Sequence, residues 1–315
     1  MKYFVFSSLI TGMFLFLSCS SDDVSQTSTA VADNVSVVDA NDEAEFAKIA
    51  AELNVLGQAY SESHETRINW GRLFRWVGVG LSDLVGAALG STVASSAVVG
   101  AGCSAAAHHY LFKKRANLMI EVFYDPTVSY SRTRSNLLNL FPDSTYSGVD
   151  GNIGYYHNLM ICRVFSDSTK LASYCAGDSL QKLQLLIDEY EDITSSSIGF
   201  SASEKGFMAS QTYNMGLIYD NSDSEEDFFT QVKSSSSGVR ITSSEADAIA
   251  SYFTSLSHAG LNRPTFMNQA LRVVDKSNLS APKKIKMENS MIVGNASLSL
   301  IFDLGINEYE YEDEE

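Results

Sequence analysis

Histidines, cysteines and clustered carboxylates are the side chains best able to do chemistry. This chain is sparing with the first two, with 5 His and 4 Cys in 315 residues. His157 and Asn158 follow Tyr155-Tyr156, and Ile153, Tyr156, Met160, Ile161, Val164 and Phe165 recur around them at helical spacing. His157 therefore falls on the apolar stripe of a helix. Two readings follow. His157 and Asn158 are a candidate ligand contact at the mouth of a helix bundle, or His157 is a core histidine bonded to a backbone carbonyl. His108 and His109 are adjacent, so on a helix they point about 100° apart and cannot grip one ion from one face. His64 and His258 stand alone in polar surroundings.

Residues 220–227 alternate oxygen-bearing side chains as calcium requires, but Glu225 occupies the sixth position, where an EF-hand loop needs glycine. The run reads as a solvated acidic loop. Gly78-Val79-Gly80-Leu81-Ser82-Asp83 begins like a dinucleotide fingerprint, yet it ends on Asp83 and follows no strand. No GxSxG, P-loop or HExxH is present, and no local context singles out a pair of carboxylates for glycoside hydrolysis. The sequence thus predicts neither an enzyme nor a bound metal or cofactor. The formal net charge of −16 argues against a nucleic-acid partner, which needs a basic footprint.

The N-terminal residues speak to compartment. Met1-Lys2 precedes an apolar run from Tyr3 to Leu17, then Ser18-Cys19-Ser20-Ser21-Asp22-Asp23. A cationic start, an apolar core and a small residue before the cut make a secretory signal. The apolar run is shorter than the roughly 20 residues that a spanning helix needs. The segment resembles a bacterial lipoprotein signal with its lipobox ending at Cys19, and residues 20–23 resemble the Ser- and Asp-rich export signals of Bacteroidota lipoproteins. The resemblance implies removal of residues 1–18, acylation of Cys19, and anchorage in the outer membrane, facing outward at the cell surface. It also implies a lipid membrane as partner, reached through the palmitate-like chains on Cys19. In such an oxidising compartment Cys162 and Cys175, close in sequence, are a candidate disulfide, with buried thiols as the alternative. The run from Ile153 to Asn158 resembles a stretch of secreted Bacteroidota proteins that have a glycine-rich apolar segment upstream and a largely helical remainder; this resemblance brings no activity with it. Asp143-Ser144-Thr145, Asp167-Ser168-Thr169 and Asp178-Ser179-Leu180 resemble the O-glycosylation acceptors of the same group, and two of them read equally well as helix N-caps.

The elements that must position these residues read as helices. Residues 19–41 form a lipidated, polar tether, 42–306 a helical domain, and 307–315 an acidic tail. Stripes of apolar residues predict helices over 42–60, 111–124, 132–140, 152–165, 179–192 and 203–219. Gly57 loosens the end of the first. Ser244 with Asp247 reads as a capping box, Pro264 opens a helix over 265–276, and Pro282 to Phe302 is a helix or a strand.

Leu84 to Ala107 carries no charge, and Gly86, Gly90 and Ala94 repeat at four. Small residues so spaced let helix backbones approach closely. The stretch resembles the glycine-zipper segments of membrane-active proteins. It is either buried in the protein, as one helix or a hairpin turning near Gly100 to Gly102, or it inserts in lipid. The predicted fold is all-α, an irregular helical bundle around this small-residue-rich apolar helix or hairpin. The predicted function is that of a surface lipoprotein with a non-enzymatic binding or envelope-associated domain, the alternative being a toxin-like or pore-forming protein that inserts residues 84–107.

Overall fold

The computed structural model describes residues 40–63, 70–114, 153–259 and 262–303. This part of the chain is all-α: 86% of it is helical, in eleven helices, with no strand among the described residues. They are α1 (Ala40–Ser63), α2 (Trp70–Leu89), α3 (Val93–Lys114), α4 (Ile153–Ser166), α5 (Ser168–Ala176), α6 (Ser179–Thr194), α7 (Ala202–Asn221), α8 (Glu225–Lys233), α9 (Ser243–His258), α10 (Arg263–Lys276) and α11 (Ala281–Asp303). The signal segment, Cys19, most of the tether, residues 115–150 with Ser144, and the acidic tail lie outside the described residues.

The apolar segment folds as a helical hairpin, but it turns at residues 90–92 rather than at Gly100 to Gly102. The reason is capping chemistry. Thr92 Oγ1 accepts from the Ser95 amide at 3.1 Å, while Ser95 Oγ accepts from the amides of Ser91 and Thr92 at 2.9 and 2.8 Å. Those bonds satisfy the orphan donors of a new helix start. Gly86 and Gly90 do make the close approach their spacing predicts, and they make it to protein. A Cβ on Gly86 would sit 2.7 Å from Cys103 Sγ, and one on Gly90 would sit 2.3 Å from the Ser96 amide nitrogen. Ala94 lies beyond the turn, half-buried, and so does not continue that ladder. Gly100 and Gly102 are interior to α3, where a Cβ would crowd Val293, His157 and Thr212.

The hairpin packs against α11, which is helical throughout and buried all round from Met287 to Ser299. Gly294 of α11 lies where a Cβ would come within 2.5 Å of Leu84 Cδ1, and Gly80 of α2 faces Leu298 in the same way. The remaining helices wrap this centre. α7 lies on α3, and α4 bridges α3 and α11. α6 packs on α7, on α4 and on α3, burying Leu183, Leu186, Ile187 and Tyr190. α1 buries Phe46, Ile49 and Leu53 and packs mainly on α9.

Gly57 does not loosen α1, which runs on to Ser63. Its missing side chain makes room for Ser255 of α9, whose Oγ donates to the Leu53 carbonyl at 2.9 Å. The first described helix also starts at Ala40, inside the segment expected as tether. α9 begins one residue before Ser244, and its cap is Thr242, whose Oγ1 accepts from the Glu245 amide. Asp167 and Asp178 are N-caps of α5 and α6, the latter in a full capping box with Gln181. Pro264 stands in the first turn of α10 as expected. No disulfide joins Cys162 and Cys175. The chain places them in different helices, α4 and α5, and burial pushes the Cys162 thiol up to about 11.

Two alanine substitutions separate close approach from helix propensity. Gly57→Ala drives a methyl into Ser255, with only 2.9 Å to its Cα, so overpacking should cost about 1–3 kcal/mol. Gly206→Ala lies in α7 with nothing within 4 Å, so it should gain roughly 0.5–1 kcal/mol. Denaturant midpoints moving in opposite directions check both.

Candidate functional site

The residues best suited to chemistry converge where α2, α3, α4 and α11 meet. Asp83 comes from α2, and it is fully buried. It closes the glycine run that looked like a nucleotide loop, which is the interior of a helix. His157 and Asn158, from α4, are buried to 1% and 0% exposure, so neither stands at a mouth of the bundle where a ligand could reach it. The apolar stripe that carried His157 inward is the stripe that builds the core.

The contacts within the cluster define its protonation. Asn158 Nδ2 donates to the Ala296 carbonyl of α11 at 2.9 Å, which turns Asn158 Oδ1 toward His157 Nδ1, also at 2.9 Å. Nδ1 therefore carries the ring hydrogen. Nε2 is left as a lone-pair nitrogen with no hydrogen-bond partner, 3.6 Å from Asp83 Oδ2. Ser297 Oγ donates to that same oxygen, and Oδ1 has no partner. Burial lifts the Asp83 carboxyl well above the usual carboxylate range, with the hydroxyls of Ser297 and Ser104 pulling weakly the other way. Burial also lowers His157 to about 4, against the opposing influence of Asn158 and the Gly100 carbonyl. Both shifts favour the uncharged forms, a protonated carboxyl and a neutral imidazole. Burial pushes the Cys103 thiol, which faces the cluster from α3, far up.

The polar surface extends along α11. Ser290 Oγ donates to the Leu84 carbonyl at 2.6 Å, Asn289 Nδ2 reaches Ser96 Oγ at 3.3 Å, and Tyr252 of α9 donates to the Met291 carbonyl at 3.0 Å. Near the start of α11, buried Glu245 of α9 receives Lys283 and Lys286 at 3.2 and 3.8 Å. Glu288 is raised to about 7 by burial, with Asp275 adding to the rise. Sequence reasoning missed Asp83 as a partner of His157, and it missed Ser297 as a donor to Asp83. The one signal present was an aspartate in an otherwise uncharged small-residue run.

The other sequence candidates stay apart from this cluster. His258 is exposed in the last turn of α9. In the acidic loop Ser224 caps α8, Asp227 accepts from Gln231, and Glu225 accepts from Thr254, so these side chains organise a helix start. Among the described residues no group of three His, Cys, Asp or Glu side chains is placed to hold a metal ion. A recess open to solvent lies between α1 and α10, lined by Ala51, Val55, Leu56 and Val273 with Glu52, Arg272 and Lys276 at its edge. Comparison with protein-family models, with curated proteins and with solved structures finds no match to this chain.

Asn158 is the hinge of the cluster. Asn158→Ala strands a buried carbonyl on Ala296 and the Nδ1–H of His157, which should cost about 2–5 kcal/mol. Urea unfolding with an unchanged slope would show the loss as a lower midpoint.

Proposed function

We propose that the protein is a lipid-anchored envelope protein, held in the outer membrane through acylated Cys19 and presenting a non-enzymatic helical domain at the cell surface. The observation that carries the reading is Cys19 itself, set directly after a short apolar run with a single lysine before it. The first described helix begins at Ala40, which leaves residues 20–39 to span the gap between an anchor and the bundle. A fully extended chain of that length reaches about 70 Å at most. The buried state of Asp83, His157 and Asn158 supports a structural use for them, because each bonds within the bundle and none meets solvent. The recess between α1 and α10 is the apolar surface through which such a domain could engage a partner.

The membrane-active alternative would require residues 84–107 to leave the bundle. It is the weaker reading. Gly86 and Gly90 face α3, Leu84 faces Gly294 of α11, and Gly102 faces Thr212 of α7. No helix among the described residues is long and apolar enough to cross a membrane.

Metabolic labelling with an alkyne palmitate in a host that processes such signals tests the proposal. The full chain should take up label and fractionate with the outer membrane, and Cys19→Ala should abolish both. Label retained in Cys19→Ala, or absent from the parent chain, rejects the anchor. Protease added to intact cells should degrade the anchored protein; full protection rejects the outward face.

A further inference from the structure

We propose that Asp83 and His157 form a single-proton latch: the folded bundle keeps one proton on this buried pair from mildly acidic to neutral pH, where the central hairpin faces α4. The inference rests on the fold alone and is independent of where the protein resides.

The geometry comes first. The two groups lie 3.6 Å apart with 0% and 1% side-chain exposure, and each belongs to a different helix. A buried ionised carboxylate or imidazolium without a counter-charge is costly, so the pair cannot hold two protons or none without leaving such a charge in the core. One proton leaves it neutral overall. The neighbours do not alter this. α3 contributes the Gly100 carbonyl, Ser104 and Cys103, whose thiol stays protonated; α4 contributes Asn158; α7 contributes Thr212, beside Cys103; and α11 contributes Val293, Ala296 and Ser297. Among the described residues no charged side chain acts on Asp83 or His157; the titratable groups of α11, Lys283, Lys284, Lys286 and Glu288, lie toward its other end, around Glu245 and Asp275.

The sign follows from counting protons. In the unfolded chain an aspartate titrates near 3.8 and a histidine near 6.5. Between those values the unfolded pair holds one proton, on the imidazole, and the folded pair also holds one, on the carboxyl. Folding then neither takes up nor releases a proton at this site, and its contribution to stability is flat with pH. Above 6.5 the unfolded pair loses its proton and the folded pair keeps it, so the stabilisation declines as pH rises. Either group alone would behave differently. A lone His157, depressed in the fold, contributes stability that is lost as pH falls from 6.5 toward 4. A lone Asp83, raised in the fold, contributes stability that is lost as pH rises above 3.8.

The test is the folding equilibrium of the full chain in detergent, measured by denaturant at pH 4.5, 5.5 and 6.5, for the parent, Asp83→Asn, His157→Gln and the double variant, at about tenfold per pH unit for one proton. Relative to the parent, Asp83→Asn should lose about tenfold per unit as pH falls, and His157→Gln about tenfold per unit as pH rises. The double variant should run parallel to the parent. Single variants that are offset by a constant factor across the window would overturn the latch, since a merely structural role moves the level and not the slope. If a single variant does not fold, the parent alone decides. The imidazole resonances of His157 should stay in the neutral Nδ1–H form from pH 7 to pH 5, and a titration with a midpoint near 6.5 would overturn the proposal.

Discussion

Backbone proximity is the constraint on which this bundle depends. α2, α3 and α11 approach so closely that Gly86, Gly90 and Gly294 have no room for a Cβ, and one on Gly80 would press on Leu298. Helices that meet so closely need small residues at the contact, so Ala, Gly, Ser and Asn are interleaved at the centre with Leu81, Leu84, Val293 and Leu298. Small residues contribute little transfer energy each. Hydrogen bonds from serine and asparagine to neighbouring backbone carbonyls take up part of the task, and buried aromatic pairs such as Tyr252 with Phe266 and Phe228 with Phe229 add to the packing around α9.

That choice explains the buried Asp–His pair. A polar centre tolerates a carboxyl group when hydroxyls and an imidazole surround it and the proton count keeps it neutral. The same centre would be poor at holding a free charge, which is why the ionised partners in this protein gather toward the start of α11 or at the edge where Lys170 meets Glu189 at 2.5 Å. Chemistry-bearing side chains thus divide by depth, with neutral bonding inside and ion pairs toward the margin.

Much of the fold was legible in the sequence. The stripes that predict helices over 152–165, 179–192 and 203–219 match α4, α6 and α7 within a few residues, because each repeats an apolar face over several turns. The hairpin was legible as an object, but its turn was misplaced. Gly100-Ala101-Gly102 looks like a break, yet those glycines serve packing, whereas Ser91, Thr92 and Ser95 hold the actual cap. Gly57 misled for the same reason. The candidate site was half legible: His157 and Asn158 stood out, but their partners are distant, with Asn158 reaching Ala296 across 138 positions and Ser297 reaching Asp83 across 214. No local pattern encodes such pairs. Cys162 and Cys175 are free thiols on successive helices, the alternative that the sequence also allowed.

The order of helices along the chain has a consequence for how the molecule comes into being. The hairpin emerges early in synthesis, but the helix that fills its groove, α11, comes last of those described. Until it arrives, Leu84 has no Gly294 beside it, Asp83 no hydroxyl from Ser297, and Asn158 no carbonyl from Ala296. The contacts of α11 with the hairpin are long-range in sequence, so they close only once that last stretch docks. An unfinished chain of that kind remains pliable enough to be threaded or handed on, and only the finished one locks.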